Sequence, residues 1–350
     1  MIEKTVLQDF SKTELVEFLT TRFNVKRFVA DNVFTWLNKG ADFDEMTNVS
    51  KEFRSKLAES CVAQSVKIIE TRESKLDGTK KFLYRLFDGN VIEGVLMNYK
   101  YGNTLCVSTQ VGCRMGCKFC ASTLGGLVRN LSVGEILGQV VAVNALGDGK
   151  ERFVTNLVLM GSGEPLDNYD NVAKFLRLVS SEEGLNVSQR NVSLSTCGVV
   201  PNMRRLADEG FLVNLTISLH SANQENRETI MPIAKAYSID EVIAAARYYF
   251  EKTGRRVIVE YTLIEGVNDS YSDALRLSSL LRNMSAHVNL IRLNPVKETK
   301  LNASGEKNAQ KFLAQLTKLN VSATLRRQMG VDIEGACGQL RRKYIGEKID

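Results

Sequence analysis

The sequence predicts an α/β protein built on a full or partial βα barrel. Three observations carry that prediction. From about Cys106 onward, strand-like runs alternate with helix-length stretches, the pattern of right-handed βαβ units around a parallel sheet. Runs such as Leu157-Val158-Leu159-Met160 are apolar without alternation, as strands covered on both faces are. Small and polar residues recur just past the strand runs, where parallel barrels hold their ligands.

Residues 1–60 read as short helices forming an accessory unit. Ser11 with Glu14 three residues on is a capping box ahead of Leu15, Val16, Phe18 and Leu19. Phe28, Val29, Val33, Phe34 and Leu37 make a helical stripe. Residues 61–98 change character. The runs 80–87 and 91–95 flank Asp88-Gly89-Asn90, and Asp-Gly between two such runs signals a hairpin. Residues 99–350 hold the alternating core. A helix is expected over 132–146, opening on the capping pair Ser132 and Glu135. Strand 154–160, helix 170–182, strand 191–195, helix 201–209 and strand 212–218 follow. Helix 239–252, strand 256–263, helix 271–283, strand 287–292, helix 306–319 and strand 320–325 complete the series. There is no repeat of fixed period and no low-complexity tract.

Composition bounds the class. The chain has 350 residues, 44% hydrophobic and 25% charged, ordinary values for a soluble globular protein. No apolar run is long enough to span a bilayer, and the start is not a secretory pattern. No membrane association and a reducing, cytoplasmic setting are therefore expected. A net charge of +6 is compatible with nucleic acid without requiring it. Seven cysteines, an odd count in a chain able to build its own core, argue against a disulfide framework.

Cys113, Cys117 and Cys120 stand as C-x-x-x-C-x-x-C. Three thiolates can hold a 4Fe–4S cluster with one iron left open, whereas structural zinc or an electron-carrier cluster wants a fourth ligand. A zinc knuckle stays open as the alternative, with its fourth ligand drawn from His220, His287, Cys61, Cys106, Cys197 or Cys337. Past the strand at 154–160 comes Gly161-Ser162-Gly163-Glu164-Pro165-Leu166. Such a turn lets backbone approach a ligand, and its carboxylate can accept from an ammonium group. The third glycine of a dinucleotide fingerprint is missing. Ser195, Thr196 and Cys197 follow the next strand, then Ser218, Leu219 and His220, and finally Asn294 before Pro295. Any one of these sets could simply cap a helix or turn the chain. Four in register at one barrel end point to a polar ligand.

Several stretches resemble the radical S-adenosylmethionine (SAM) RNA methyltransferases of the RlmN/Cfr family. They are 105–113, 117–126 with Phe119 inside the triplet, Met160-Gly161-Ser162-Gly163-Glu164-Pro165-Leu166-Asp167-Asn168, Ile217-Ser218-Leu219-His220 and 332–340. The resemblance implies a partial (βα)6-type TIM barrel, a small N-terminal helical domain that helps bind RNA, and a β-hairpin extension. It assigns a 4Fe–4S cluster to Cys113, Cys117 and Cys120. It assigns SAM, two per turnover, to Gly163, Glu164, Ser195, Ser218, Leu219, His220 and Asn294. Cys337 would carry the methyl group, Cys106 would be a second catalytic cysteine, and Glu93 the general base. Without the resemblance, Cys106 and Cys337 read as buried thiols and Glu93 as a solvated edge charge. Gly335 stands where relatives often have alanine, for which only a local backbone effect is expected.

The implied reaction is methylation of adenine C2, at adenosine 2503 in the peptidyl transferase centre of 23S rRNA and at adenosine 37 of tRNAs. A flavodoxin or ferredoxin would be the reductant, and the chain a monomer. The neighbouring alternative methylates adenine C8. Val111, the stretch 121–126 and Pro165 look like the C2 type. A zinc-stabilised RNA-binding protein without catalysis and a plain electron carrier are the alternatives of other classes. Arg326, Arg327, Arg341, Arg342 and Lys343 flank Cys337 and are candidate phosphate contacts, as are Lys80, Lys81 and Arg85 on the hairpin.

Overall fold

The computed structural model describes residues 4–147, 153–294, 296 and 298–340. The chain opens with β1 (Thr5–Val6) and the helices α1 (Lys12–Phe23), α2 (Arg27–Asn38) and α3 (Lys51–Ser60). The capping box at α1 forms, with Glu14 N donating to Ser11 Oγ and Ser11 N to Glu14 Oε2. Leu15, Leu19, Val33, Leu37, Phe53 and Leu57 give these helices a core separate from the main one. β1 pairs in parallel with β2 (Cys61–Val62).

An antiparallel meander follows: β3 (Val66–Glu73), β4 (Lys80–Leu86), β5 (Val91–Tyr99) and β6 (Gly102–Cys106). A small ribbon, β7 (Gln110–Gly112) and β8 (Leu127–Asn130), encloses the cysteine triplet. The βα series then runs α4 (Val133–Asn144), β9 (Asn156–Leu159), α5 (Tyr169–Ser180), β10 (Val192–Thr196), α6 (Val200–Asp208) and β11 (Asn214–Ser218). It ends with α7 (Gln224–Ile230), α8 (Ile239–Thr253), β12 (Val257–Leu263), α9 (Tyr271–Leu280), β13 (Ala286–Arg292), α10 (Glu306–Lys318) and β14 (Ala323–Leu325).

One ten-stranded sheet orders these as β14-β13-β12-β11-β10-β9-β6-β5-β4-β3. β6 joins its two halves, antiparallel to β5 and parallel to β9. From β6 to β14 every pairing is parallel. The order ends on β14 and β3, so the barrel is partial and open. Asp9 Oδ1 accepts from Gly134 N at 2.6 Å, docking the N-terminal unit on the start of α4, where the helix dipole favours a carboxylate.

Expected and observed elements differ in instructive places. The helix expected over 271–283 stops at Leu280, and Asn283 already lies in the left-handed region at φ 61°. β6, the β7–β8 ribbon and α7 lie outside the expected series. α7 reads Gln-Glu-Asn-Arg-Glu-Thr-Ile, too polar to show an apolar stripe. The hairpin turn is anchored at Asp88, which accepts from Arg129 Nε at 2.7 Å and from Asn90 N at 3.0 Å. Burial pushes this carboxyl up, but Arg129 and Asn90 outweigh it and bring it to about 2. A carboxylate held below its unfolded value stabilises the fold above that value and loses the contribution as pH falls through the folded one. Asp88→Asn should therefore lower the urea midpoint near neutral pH, and its deficit against the parent should close as pH falls from about 4 towards about 2.

Candidate active site

The C-terminal ends of the parallel strands open into a cavity of about 870 Å³. Cys113, Cys117 and Cys120 line one part of it, and Gly163, Glu164, Ser195, Ser218, His220 and Asn294 line the rest. The cysteine loop is shaped by its glycines and carbonyls. Gly112 has φ 78°, and a Cβ there would lie 2.0 Å from Gly126 O. Cys113 N donates to Gly126 O at 3.0 Å, and Cys120 N to Cys117 O at 3.1 Å. Phe119 meets the His220 ring edge-to-face, with centroids 4.7 Å apart.

These thiols fit an iron–sulfur cluster. Burial pushes Cys113 up to about 12 and raises Cys117 and Cys120. They become thiolates only with cationic compensation, which a bound metal centre provides. Among the described residues, no three His, Cys, Asp or Glu side chains converge closely enough for a single ion. Of the residues that could complete a zinc site, His220, Cys197 and Cys337 line the same cavity as the triplet, whereas His287 and Cys61 do not. His220 Nδ1 accepts from Thr262 N at 3.1 Å. His287 is near the start of β13, bonded to Ser322 and Thr324, at the opposite end of that strand from the cavity. Cys61 is in the N-terminal core.

Cys197, considered from sequence only as a zinc ligand, lines the same cavity. Burial, with the nearby Glu164 carboxylate adding to it, raises its thiol well above the usual value. Glu164 accepts from Cys197 N at 2.8 Å and from Leu166 N at 3.0 Å, yet burial still raises its carboxyl. Gly163 has φ 109°, and a Cβ would fall 2.6 Å from Gln110 Cβ, so the approach of this turn to the cavity requires glycine. Ser195 Oγ and Ser218 Oγ are 3.1 Å apart on adjoining strands. His220 is held neutral, its imidazole lowered to about 3 by burial and by Arg227. Leu219 differs from its neighbours: its side chain is in the main core, leaving only its backbone near the site.

A second cavity, of about 620 Å³, adjoins the first and shares Met160, Ile291, Asn294 and Cys337 with it. Cys106, Val95, Met97 and Tyr99 form one wall. Cys337 thus faces both chambers. The segment bearing it is fastened on two sides. Ala121 N donates to Gly338 O at 2.8 Å, and Ser122 Oγ to Leu340 O at 2.9 Å. From the β3–β4 turn, Ser74 Oγ donates to Asp332 Oδ1 at 2.6 Å, while Asp77 Oδ2 accepts from Gly330 N at 2.9 Å. Asn294 Nδ2 donates to Cys337 O at 2.9 Å. Gly335 meets no close obstacle to a Cβ, so alanine fits there.

The electrostatics of the second chamber are arranged around sulfur and a carboxylate. Arg326 Nη1 is 3.8 Å from Cys337 Sγ and 2.8 Å from Glu260 Oε1. That guanidinium thus bridges the Glu260 carboxylate and the Cys337 sulfur. Burial, then Cys337, pushes the Cys106 thiol far above the usual range. Glu93 is no solvated edge charge. It is 2% exposed and pairs with Lys81 Nζ at 2.9 Å. Lys81 also donates to Glu334 O at 3.1 Å, tying the carboxylate to the Cys337 segment. Glu93 shares a face of β5 with Val95 and Met97 by strand alternation, just inward of the cavity wall. Two expected phosphate contacts are thereby corrected. Lys81 is buried on Glu93, and Arg326 turns inward to Glu260 and Cys337. Lys80 pairs with Glu73 at 3.5 Å, and Arg327 lines the second cavity. Arg341, Arg342 and Lys343 lie outside the described residues.

An open parallel barrel whose strand ends gather a C-x-x-x-C-x-x-C loop and a polar cavity is the architecture of a radical SAM domain. Residues 107–277 match the Radical SAM superfamily, and residues 5–63 the ribosomal RNA large subunit methyltransferase N-terminal domain. The chain is 53% identical over 326 residues to the "Probable dual-specificity RNA methyltransferase RlmN" of Lachnoclostridium phytofermentans, covering 93% of this chain and 91% of that protein. With the protein of the same name from Clostridium perfringens it shares 52% identity, over 97% of each chain. A crystal structure of a radical SAM methyltransferase from Sphaerobacter thermophilus superposes with a TM-score of 0.93 at 42% identity, covering 97% of this chain and 100% of that one. The chain belongs to the dual-specificity RNA methyltransferase RlmN family. No helix among the described residues is long and apolar enough to cross a membrane.

Cys197 shares the cavity with Cys113, Cys117 and Cys120, but lies outside their C-x-x-x-C-x-x-C loop. Anaerobically purified Cys197→Ala protein should retain the iron and sulfide content of the parent, while Cys117→Ala should lose most of it.

Proposed function

We propose that this protein is a radical SAM RNA methyltransferase that methylates C2 of adenosine 2503 in 23S rRNA and of adenosine 37 in tRNAs. The observation that carries the reading is Cys337, one sulfur on the wall common to both chambers. The reaction needs such a sulfur, because it must meet SAM on one side and RNA on the other. Adenine C2 lies between two ring nitrogens, is electron-poor, and does not attack the methyl of SAM. Radical addition to that carbon avoids the difficulty.

Cys113, Cys117 and Cys120 would hold the cluster. Gly163, Glu164, Ser195, Ser218, His220 and Asn294, with the Leu219 backbone, would hold SAM. When bound, the 4Fe–4S cluster supplies the electron that splits SAM and yields a radical able to take hydrogen from a methyl group. The remaining work belongs to the chain. Cys337, with Arg326 3.8 Å from its sulfur, takes a methyl from a first SAM by nucleophilic displacement as a thiolate. A second SAM is consumed in activating that methyl. The resulting S-methylene radical adds to C2 and crosslinks protein to RNA, and the adduct's unpaired electron would pass back to the cluster. Glu93, held as a buried carboxylate by Lys81, accepts the C2 proton, which is acidic only in the adduct. Cys106 then attacks the sulfur of Cys337, forming a disulfide as the carbon–sulfur bond breaks, and the thiol proton goes to the released carbon to complete the methyl group on the RNA. The high proton affinity of the buried Cys106 keeps it a thiol until the crosslink forms.

The N-terminal helices and Arg327 would contact the folded RNA, whose target base must leave its stack to enter the second chamber. A flavodoxin or ferredoxin would supply electrons to a monomeric, cytoplasmic enzyme. Cys106→Ala protein incubated with SAM, reductant and RNA should accumulate a covalent protein–RNA adduct. Free turnover by that variant would remove the resolving role. Mass analysis of the parent's product should find the methyl on C2, and a methyl on C8 would assign the other branch of the family.

A further inference from the structure

Two tyrosines stand at the mouth of the second chamber. Tyr99, the last residue of β5, lines the cavity beside Arg326. Tyr101 sits in the turn to β6. Their rings are stacked, with centroids 5.0 Å apart and 6° between the planes. Tyr99 is half-buried, but Tyr101 is 72% exposed. The pair therefore continues the cavity wall outward and ends in an aromatic ring open to water.

The mount is firm. β5 and β6 stay paired out to Tyr99 and Gly102. Gly102 has φ 127°, and a Cβ there would fall 2.1 Å from Thr155 Oγ1, so the turn is pressed against the chain entering β9. Thr155 N donates to Asn103 O at 3.0 Å. The ring is thus presented on constrained backbone. Its neighbours in sequence, Asn98 and Lys100, are exposed and polar. A single flat ring among polar residues is too small for a protein-docking patch, which needs a contiguous apolar surface. It does match one nucleobase, since every base has a π face that stacks on an aromatic side chain. Arg327, on the same cavity wall, offers a cation for the accompanying phosphate.

We propose that Tyr101, backed by Tyr99, is a stacking platform for an unpaired nucleobase next to the target adenosine. The proposal rests on reading the second chamber as the acceptor site. Tyr101 lies outside the lining of that chamber, so its ring serves a neighbouring base rather than the reacting one. The platform holds the strand in its splayed form while the target base occupies the chamber, and it is indifferent to base identity.

The test uses full-length holoenzyme and an RNA fragment containing the target adenosine, with Tyr101→Ala, Tyr101→Phe and Tyr101→Trp. Tyr101→Ala should raise KM for RNA by about 10-fold, within the range of roughly 5- to 150-fold that corresponds to loss of one stacked base, with the loss falling on KM rather than kcat. Tyr101→Phe and Tyr101→Trp should restore KM, because the ring and not the hydroxyl is used. The salt dependence of RNA binding should stay that of the parent in Tyr101→Ala but flatten in Arg327→Ala. An unchanged KM in Tyr101→Ala, or a Phe variant as impaired as the Ala variant, would overturn the platform while the parent still methylates RNA. A reconstituted parent that leaves RNA unmethylated would instead overturn the underlying reading.

Discussion

One strap of chain, 330–340, is hydrogen-bonded on one side to the cysteine loop and on the other to the β3–β4 turn. The placement of Cys337 depends on that double attachment. Ala121 N and Ser122 Oγ grip the strap from the loop that carries Cys113, Cys117 and Cys120. Ser74, Asp77 and Lys81 grip it from the hairpin that carries Glu93. Neither attachment alone would put one sulfur on the common wall of two cavities. With both, Cys337 borders the chamber under the parallel strands and the chamber lined by Cys106. The antiparallel meander thus serves as more than an extension of the sheet. Through β6 it sets Cys106, and through β4 it sets Lys81, against a strap more than two hundred residues later in the chain.

The second constraint is charge in low dielectric. Isolated buried ions are costly, and buried pairs persist when each member has a partner. Lys81 with Glu93 and Arg326 with Glu260 meet that condition, and both pairs lie beside the strap. Their cations are shared, Lys81 with Glu334 O and Arg326 with Cys337 Sγ. Each pair therefore ties a carboxylate to the position of the reactive segment. Removing Lys81 would leave Glu93 as an uncompensated buried charge, a loss of about 3–5 kcal/mol by analogy with other broken buried pairs.

Much of this was legible in the sequence because it rests on local signals. The Ser11, Ser132 and Asp88-Gly89 signals all became structure, since caps and tight turns are decided within four residues. The alternating strands from 154 onward appeared in order, with ends shifted by a few residues. The cysteine triplet and the polar strand ends, all but Leu219, line one cavity, Gly163 through its backbone. What was not legible is what depends on long-range packing. Lys81 looked like a surface cation, and only the fold of 330–340 over the hairpin buries it. Arg326 looked like a phosphate contact, and only the adjacency of β12 brings Glu260 to it. Cys197 looked like a spare ligand. The stacked tyrosines lie two residues apart, too short a spacing to signal a partner-facing wall.

The proposed reaction turns on one sulfur, that of Cys337, serving both chambers. Enzyme whose Cys337 has been methylated from isotopically labelled SAM, freed of excess label and then given unlabelled SAM, reductant and RNA, tests it directly. The account predicts that the first adenine product carries the label that began on Cys337. A first product drawn entirely from the unlabelled SAM, with the label still on the protein, would contradict it.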